Sequence, residues 1–588
     1  MIKVSDYVIN FLVKKGIKDI FLVSGGASMH LLDSLGSSPD LKYYCNHHEQ
    51  ASAMSAEGYA RITKNFGVCL VSSGPAQTNA LTGLMCAWED SIPVMFISGN
   101  CNSDHLKGDT ELRQRGVHEV DILPMVKDVT KYSVRLSKAT NIQFELEKLY
   151  YWMMEGRKGP VWIDIPVDIQ GKLVDECSLD HFGKASIMKP PLDLTKFNTL
   201  YRLLRESSRP VILIGGGALE EIPSIIQWAN ARTIPIVCTK NAYGYISGNT
   251  MGYVGMIGIN GGRQANLTVQ NADLVLILGS RLSLPSIGYA TDMFAKDAKK
   301  IMVDIDFNTI RHSFVHIDLA FCTSIHYFIA NVLSGVHIEP KDTSWALKVY
   351  CEYTVDFPFR PVNKRFVDAY NFYDQLGNAL PKDTVVVADQ GAAFYAWSQS
   401  FFVEESVSFT NGGFSPMGYG LPAAIGACIA NNKKPTVCVI GDGGLEMNIQ
   451  ELQTIVHYNL PIKIFVFSNN GYGSIRNTQD ANFNGRYVGS DPSSGVSCVN
   501  VLGISEAYQM EAYTISNDNE LDMLERTFEL EGSVLIDVKL DPNQKIEPKV
   551  VATKNVDGSI KPGLLEDMTP LLDRDVLKKL MIVKPVED

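Results

Sequence analysis

Gly441-Asp442-Gly443-Gly444, followed one helical and one apolar stretch later by Asn469-Asn470, is the combination in this chain best suited to chemistry. Gly443 and Gly444 let a phosphate approach the backbone, and the helix they open offers it free N–H groups and the positive end of its dipole. An aspartate oxygen and an amide oxygen beside a diphosphate form a hard, oxygen-only site. Such a site suits Mg²⁺, completed by a backbone carbonyl, water and phosphate oxygens.

For Asp442 and Asn469 to meet, the elements around them must be placed accordingly. Pro435 to Ile440 (PTVCVI) reads as a buried strand. Leu445, Ile449, Leu452, Ile455 and Val456 fall on one helical face, and a second apolar strand returns to Asn469. Two parallel strands joined this way put their carboxyl ends on one edge of a sheet, where open α/β sheets bind ligands.

The rest of the chain is consistent with an ordinary enzyme of about three domains, since 588 residues exceed what one core supports. Hydrophobic residues make up 45% and charged residues 20%. The formal charge of -12, with no basic run, argues against a nucleic-acid partner. Eleven cysteines without CxxC spacing point to free thiols in a reducing cytoplasm. The N-terminal stretch MIKVSDYVINFLVKKG reads as an amphipathic helix over Val4 to Lys15, neither signal peptide nor membrane span, so no membrane partner is expected.

Strand and helix patterns alternate throughout, so the expected fold class is α/β with three doubly wound parallel sheets. Composition divides the chain into 1–185, 192–338 and 360–550, with an extension over 551–588; Lys189-Pro190-Pro191 marks the first boundary. In the first domain a strand runs into Gly25-Gly26, and another delivers Glu49 to a helix start, where a carboxylate also complements the helix dipole. In the second, four strands are legible (RPVILI, IPIVC, ADLVLIL and KKIMVD), and Gly215-Gly216-Gly217 after the first resembles a dinucleotide turn. Arg476, on the helix after the asparagine pair, reads as solvated or as steadying an anion. The tail reads as a surface extension or a lid.

GDG followed by NN, with HEQ…AEGYAR around Glu49 and PMGYGLPAAIGA around Met417, resembles the thiamine diphosphate signature of the acetolactate synthase and pyruvate decarboxylase superfamily. The resemblance to acetolactate synthases covers nearly all of the chain, from Val4 to about Leu540. It implies metal ligation by Asp442, Asn469 and the Gly471 carbonyl, and a cofactor cradle that includes Gly26, Gln390, Gly391, Gly441, Gly443, Gly444, Tyr472 and Gly473. Gly413 and Ser415 would lend backbone groups to the pyrimidine. Met417 would wedge beneath the cofactor, although methionine is also a plain core filler. Glu49 would sit against N1′ of the aminopyrimidine and favour the tautomer whose 4′-nitrogen deprotonates C2.

Ser73, Gly74, Pro75 and Asn79 match the family's SGPGATN element. Val117 and His118 stand where acetolactate synthases have a phenylalanine and a glutamine, and Ser474 and Thr478 where they have a methionine and a tryptophan. These four positions are expected to form a wetter acceptor pocket, with His118 able to move a proton. Arg157, Gly255-Met256-Ile257-Gly258 and Arg281 match family FAD positions, while Leu282-Ser283-Leu284-Pro285 departs from the pattern and leaves FAD open. The implied activity is cleavage of a 2-oxo acid such as pyruvate and transfer of the acyl unit to a carbonyl acceptor, sugar-related in one reading, by a homodimer or homotetramer. Alternatives are a simple decarboxylase, a C–C hydrolase, a flavin-linked oxidase, or a non-catalytic cofactor-binding subunit.

Overall fold

Continuous apolar runs bounded by glycines form strands buried on both faces, which requires helices on both sides of each sheet. The computed structural model describes residues 1–183, 193–354, 363–400, 406–554, 557 and 559–584. The Lys189-Pro190-Pro191 boundary lies outside them.

The first sheet is built from β1 (Asp19–Leu22), β2 (Lys42–Cys45), β3 (Gly67–Val71), β4 (Val94–Asn100), β5 (Tyr132–Arg135) and β6 (Val161–Pro166). The second uses β7 (Pro210–Ile214), β8 (Ile236–Cys238), β9 (Tyr253–Met256), β10 (Leu274–Leu278), β11 (Lys299–Asp304) and β12 (Leu319–Cys322). The third uses β13 (Val385–Ala388), β14 (Val407–Phe409), β15 (Thr436–Gly441), β16 (Ile462–Ser468), β17 (Glu511–Ile515) and β18 (Val534–Lys539). All three are six-stranded and parallel, so the α/β reading holds. β5, β9, β12, β14 and β17 were not read from the sequence; β9 ends in Gly255-Met256, the start of the stretch matched as a glycine turn.

The strand orders determine where the ligand crevices fall. The first sheet runs β2-β1-β3-β4-β6-β5 and the third β14-β13-β15-β16-β18-β17, which is the same topology. In each, the chain reverses direction between the first and third strands, and that switch point opens a crevice at the carboxyl edge. In the third sheet the crevice lies between Gln390-Gly391 and Gly441-Asp442. The second sheet runs β9-β8-β7-β10-β11-β12, the order common to dinucleotide-binding folds, with its switch point between Gly215 and Gly279.

One apolar cluster is shared by the first and third domains, and another by the second and third. The first is tightest where the helix Glu49–Thr63 crosses the helix Gly420–Ala430. Glycine is needed there, since a Cβ on Gly58 would strike the Ala423 carbonyl and one on Gly426 the Ser55 carbonyl. The helix expected after Asp442 is broken at Asn448, whose side-chain amide donates to the Gly418 carbonyl at 2.9 Å. Two shorter helices result, Asp442–Met447 and Glu451–His457.

The C-terminal extension packs on the middle domain. Arg263 donates to the carbonyls of Met568 and Pro570, Asn271 to that of Leu580, and Gln270 to Glu566. As a result all eight residues of the helix Arg263–Gln270 are buried. Leu577, Leu580, Met581 and Val583 close over Leu267. Leu577→Ala and Leu580→Ala should each cost about 2–5 kcal/mol and lower the thermal midpoint without touching the third-domain crevice. An unchanged midpoint would show that the extension does not contribute to the fold.

Candidate active site

Asp442 sits at the end of β15, its carboxylate 3% exposed, and accepts hydrogen bonds from three backbone amides: Gly443 at 2.8 Å, Asn469 at 3.0 Å and Gly471 at 3.2 Å. Burial pushes its pKa above the ordinary carboxylate value, and these amides and the Cys498 thiol only partly oppose the shift. The carboxylate is therefore short of positive charge, as a cation ligand should be. Asn469 Oδ1 is buried with no hydrogen-bond partner, a costly arrangement unless something else takes the oxygen. Among the described residues no cluster of three or more His, Cys, Asp or Glu could hold a metal ion. One carboxylate, one amide oxygen and a carbonyl are what Mg²⁺ takes when phosphate oxygens and water supply the rest.

The glycines divide into two kinds. A Cβ on Gly391, Gly441 or Gly26 would meet nothing within 4 Å, so these residues border open space. Gly391 and Gly441 end neighbouring strands, and together they leave a cradle at the switch point. Gly443 and Gly444 are instead closely covered, by the Tyr472 ring and by Asp389 Oδ2. Gly473 packs against the Asn469 side-chain amide, 2.8 Å from where its Cβ would lie. A cleft beside this site has a polar side with Asn469, Ser474, Asn477 and Gln544 and an apolar side with Tyr370, Tyr395 and Leu540. Ser474 thus lies next to the metal donors, whereas Thr478 is exposed and returns its hydroxyl to the Ser474 carbonyl at 3.0 Å.

The loop carrying Gly413, Ser415 and Met417 is held from two sides. Gly413 N donates to Asp90 and Ser415 N to Asn411 Oδ1, so the carbonyls are the groups these residues offer a ligand. Gln390 ties the same loop down through Thr410 and the Asn411 carbonyl. Met417 is 37% exposed, on a turn whose Gly418 packs against Met447 and the Gly444 carbonyl. Asp389, not singled out in the sequence, lies beneath this turn and accepts from Gly418 N at 2.9 Å. Burial raises its pKa to about 6, against the pull of surrounding amides.

On the first domain, Glu49 opens the helix Glu49–Thr63, and one of its oxygens accepts from Asn79 Nδ2 at 2.9 Å. Asn79 ends the short helix of the Ser73-Gly74-Pro75 turn. A Cβ on Gly74 would strike the His118 carbonyl, so His118 is brought to the same turn. His118 is in the left-handed region, φ 56°, and its neighbour Glu119 anchors the loop. The Glu119 carboxylate accepts from the amides of Lys107 at 2.6 Å, Arg115 at 2.9 Å and Gly116 at 2.9 Å. Val117 is 77% exposed. Among the described residues no hydrogen bond joins this group to Asp442, Asn469, Ser474 or Thr478, although the segment before Glu49 reaches the third domain of the same chain, where Asn46 Nδ2 and His47 N each donate to Glu451 at 2.9 Å.

In the middle domain the glycine turn faces β10. Gly217 N donates to the Gly279 carbonyl at 2.9 Å, and a Cβ on Gly216 would lie 3.0 Å from the Asn241 Cβ. Arg157 donates to Ser91 and stands 3.7 Å from Asp306, and Arg281 pairs with Glu89 at 3.1 Å. Both arginines are thus at the crevice edge but already have partners. Lys240, at the end of β8, reaches Ser415 Oγ at 3.2 Å and lies over the Phe394 ring; its amine pKa is lowered to about 8 by burial.

Asp389 gives a pH test. Its folded pKa of about 6 exceeds the ordinary 3.8, so the native state binds a proton that the unfolded chain releases between those values. Stability should therefore fall as pH rises through that window and level off above it, by at most about 3 kcal/mol. Urea unfolding of wild type and Asp389→Asn from about pH 4 to 7 should show wild type losing stability relative to the variant as pH rises, the gap opening up to about pH 6 and then staying constant. Parallel curves would refute the assignment.

Three family descriptions match the chain in sequence. The thiamine pyrophosphate enzyme N-terminal TPP binding domain covers residues 2–125, the central domain 197–332 and the C-terminal TPP binding domain 390–538. The acetolactate synthase large subunit of Cyanidium caldarium is 29% identical over 579 residues, spanning 93% of this chain and 95% of that protein. A probable acetolactate synthase large subunit of Methanocaldococcus jannaschii is 29% identical and spans both chains fully. The isozyme 1 large subunit of Escherichia coli is 27% identical over 93% of this chain. With the three domains in family order and the switch-point crevice of the third lined by an oxygen donor set, this chain belongs to the thiamine pyrophosphate enzymes.

Proposed function

We propose that the protein is a thiamine diphosphate- and Mg²⁺-dependent carboligase that cleaves a 2-oxo acid such as pyruvate and transfers the acyl unit to a carbonyl acceptor. The observation that carries this reading is the buried, unpartnered Asn469 Oδ1 beside the undercompensated Asp442. When bound, thiamine diphosphate supplies the carbon nucleophile for both half-reactions. Asp442, Asn469 and the Gly471 carbonyl hold the cation, and the cradle between Gly391 and Gly441 takes the diphosphate.

Asn79 holds one oxygen of Glu49, which leaves the other to carry a proton to the aminopyrimidine nitrogen. As the resemblance to acetolactate synthases implies, the first domain of one copy completes the third domain of another, which makes a homodimer the smallest working unit. The hydroxylated, sugar-like acceptor rests on Ser474, whose cleft mixes the polar Asn477, Gln544 and Lys545 with Tyr370, Tyr395 and Leu540. His118, exposed beside the Glu49 group, is the residue assigned in this reading to exchange a proton with that acceptor.

The test is CO₂ release from pyruvate by protein loaded with thiamine diphosphate and Mg²⁺, with and without aldehyde, ketone and sugar acceptors. Release that rises with a sugar-like acceptor supports the full reading. Release independent of any acceptor makes the protein a decarboxylase. Flavin absorbance of the same sample decides FAD, and a colourless, fully active preparation removes it. Glu49→Gln should lower turnover by about 10²–10⁴-fold with cofactor affinity nearly unchanged, and undiminished turnover would remove Glu49 from the mechanism.

A further inference from the structure

Arg476 fits neither of the roles its sequence position suggests. It is 6% exposed, and each hydrogen bond of its guanidinium goes to a backbone carbonyl. Nη1 donates to Asn470 O at 2.9 Å and Ser490 O at 3.2 Å, and Nη2 to Asn469 O at 2.7 Å and Pro542 O at 3.1 Å. Three separate segments of the third domain thus converge on one side chain.

Two of those carbonyls belong to the loop that carries the cation donors. Asn470 and Gly471 are both at positive φ, 59° and 118°, a turn that is strained at the asparagine. The peptide between them is held at both ends: its carbonyl accepts from Arg476 Nη1, and its N–H, that of Gly471, donates to Asp442 Oδ2. The Asn469 residue is held the same way, its carbonyl by Nη2 and its N–H by Asp442. With these groups pinned, the Asn469 side-chain oxygen is left unpartnered. A planar fork can serve four carbonyls at once, which a lysine ammonium cannot.

We propose that Arg476 is the positioning residue of the divalent-cation site, clamping the Asn469–Gly471 loop against Asp442 so that Asn469 Oδ1 and the Gly471 carbonyl stay presented to the ion. The inference rests on the cofactor reading above. It assigns Arg476 to cation affinity, not to contact with substrate.

The experiment measures Mn²⁺ binding by electron paramagnetic resonance in the presence of thiamine diphosphate, for wild type, Arg476→Lys and Arg476→Met, alongside the thermal midpoint of each without cation. Removing an outer partner of a metal ligand typically weakens affinity about 10–100-fold. Arg476→Met is expected in that range, and Arg476→Lys between it and wild type, with both folded at the assay temperature. Wild-type protein that binds no Mn²⁺ would overturn the cofactor reading and the clamp with it. Wild-type binding matched by Arg476→Met would overturn the clamp alone. If Arg476→Met does not fold, Arg476→Lys decides, and wild-type affinity in that folded variant overturns the proposal. A loss seen only where a variant is melting assigns Arg476 to the fold and overturns it as well.

Discussion

The Asp90 carboxylate joins all three domains. It closes the helix Leu81–Asp90 of the first domain, with no exposed side-chain surface, and accepts five hydrogen bonds. Arg61 of its own domain donates at 2.5 Å, Asn241 of the second at 2.9 Å, and Asn411, Gly412 and Gly413 of the third at 3.2, 2.7 and 2.7 Å. Burial alone would push its pKa up, but Arg61 and the third-domain amides overcome that and hold it below the usual carboxylate range. Arg61 in turn pairs with Glu57, which accepts from Tyr419. Losing one member of such a buried network leaves the others uncompensated, at a cost of about 3–5 kcal/mol. The loop from Asn411 to Met417 is thus placed by an acid from another domain.

That arrangement explains how a parallel-sheet scaffold achieves a defined crevice. The strand order determines which edge opens, and the glycines at Gly391 and Gly441 keep it open. Buried carboxylates then set the loops: Asp389 beneath the Met417 turn, Asp442 on the Asn469–Gly471 loop, Glu119 behind His118. Each accepts backbone amides, whose directions are fixed once the acceptor is fixed. The site is built mostly from backbone geometry, and side chains act largely as its anchors.

Elements whose chemistry is local were legible in the sequence. Apolar runs gave four of the six third-domain strands, β13, β15, β16 and β18, and the GDG…NN spacing located the crevice, because in a parallel sheet the strand end and the ligand edge coincide. Features that depend on partners distant in sequence were not legible. Nothing in the sequence singles out Asp90 or Asp389, since their donors come from distant segments. Arg476 read as solvated, because a surface-type helix pattern does not reveal that carbonyls of Ser490 and Pro542 arrive above it. Asn448 interrupts a helix that its own periodicity would continue, owing to the Gly418 carbonyl. β12 was missed because its four-residue run is followed by another apolar stretch with no glycine to separate them.

The C-terminal extension over the helix Arg263–Gln270 has a consequence for biosynthesis. Asn271 is bonded to Leu580, 309 residues further along the chain. A ribosome makes the middle domain long before its cover exists, and Leu267 and its neighbours stay uncovered while the whole third domain is translated. Domains otherwise tend to fold as units in order of synthesis, but here the second can finish only after the last. The waiting surface is a natural place for a chaperone to hold the chain, and a prematurely terminated product would carry it permanently exposed.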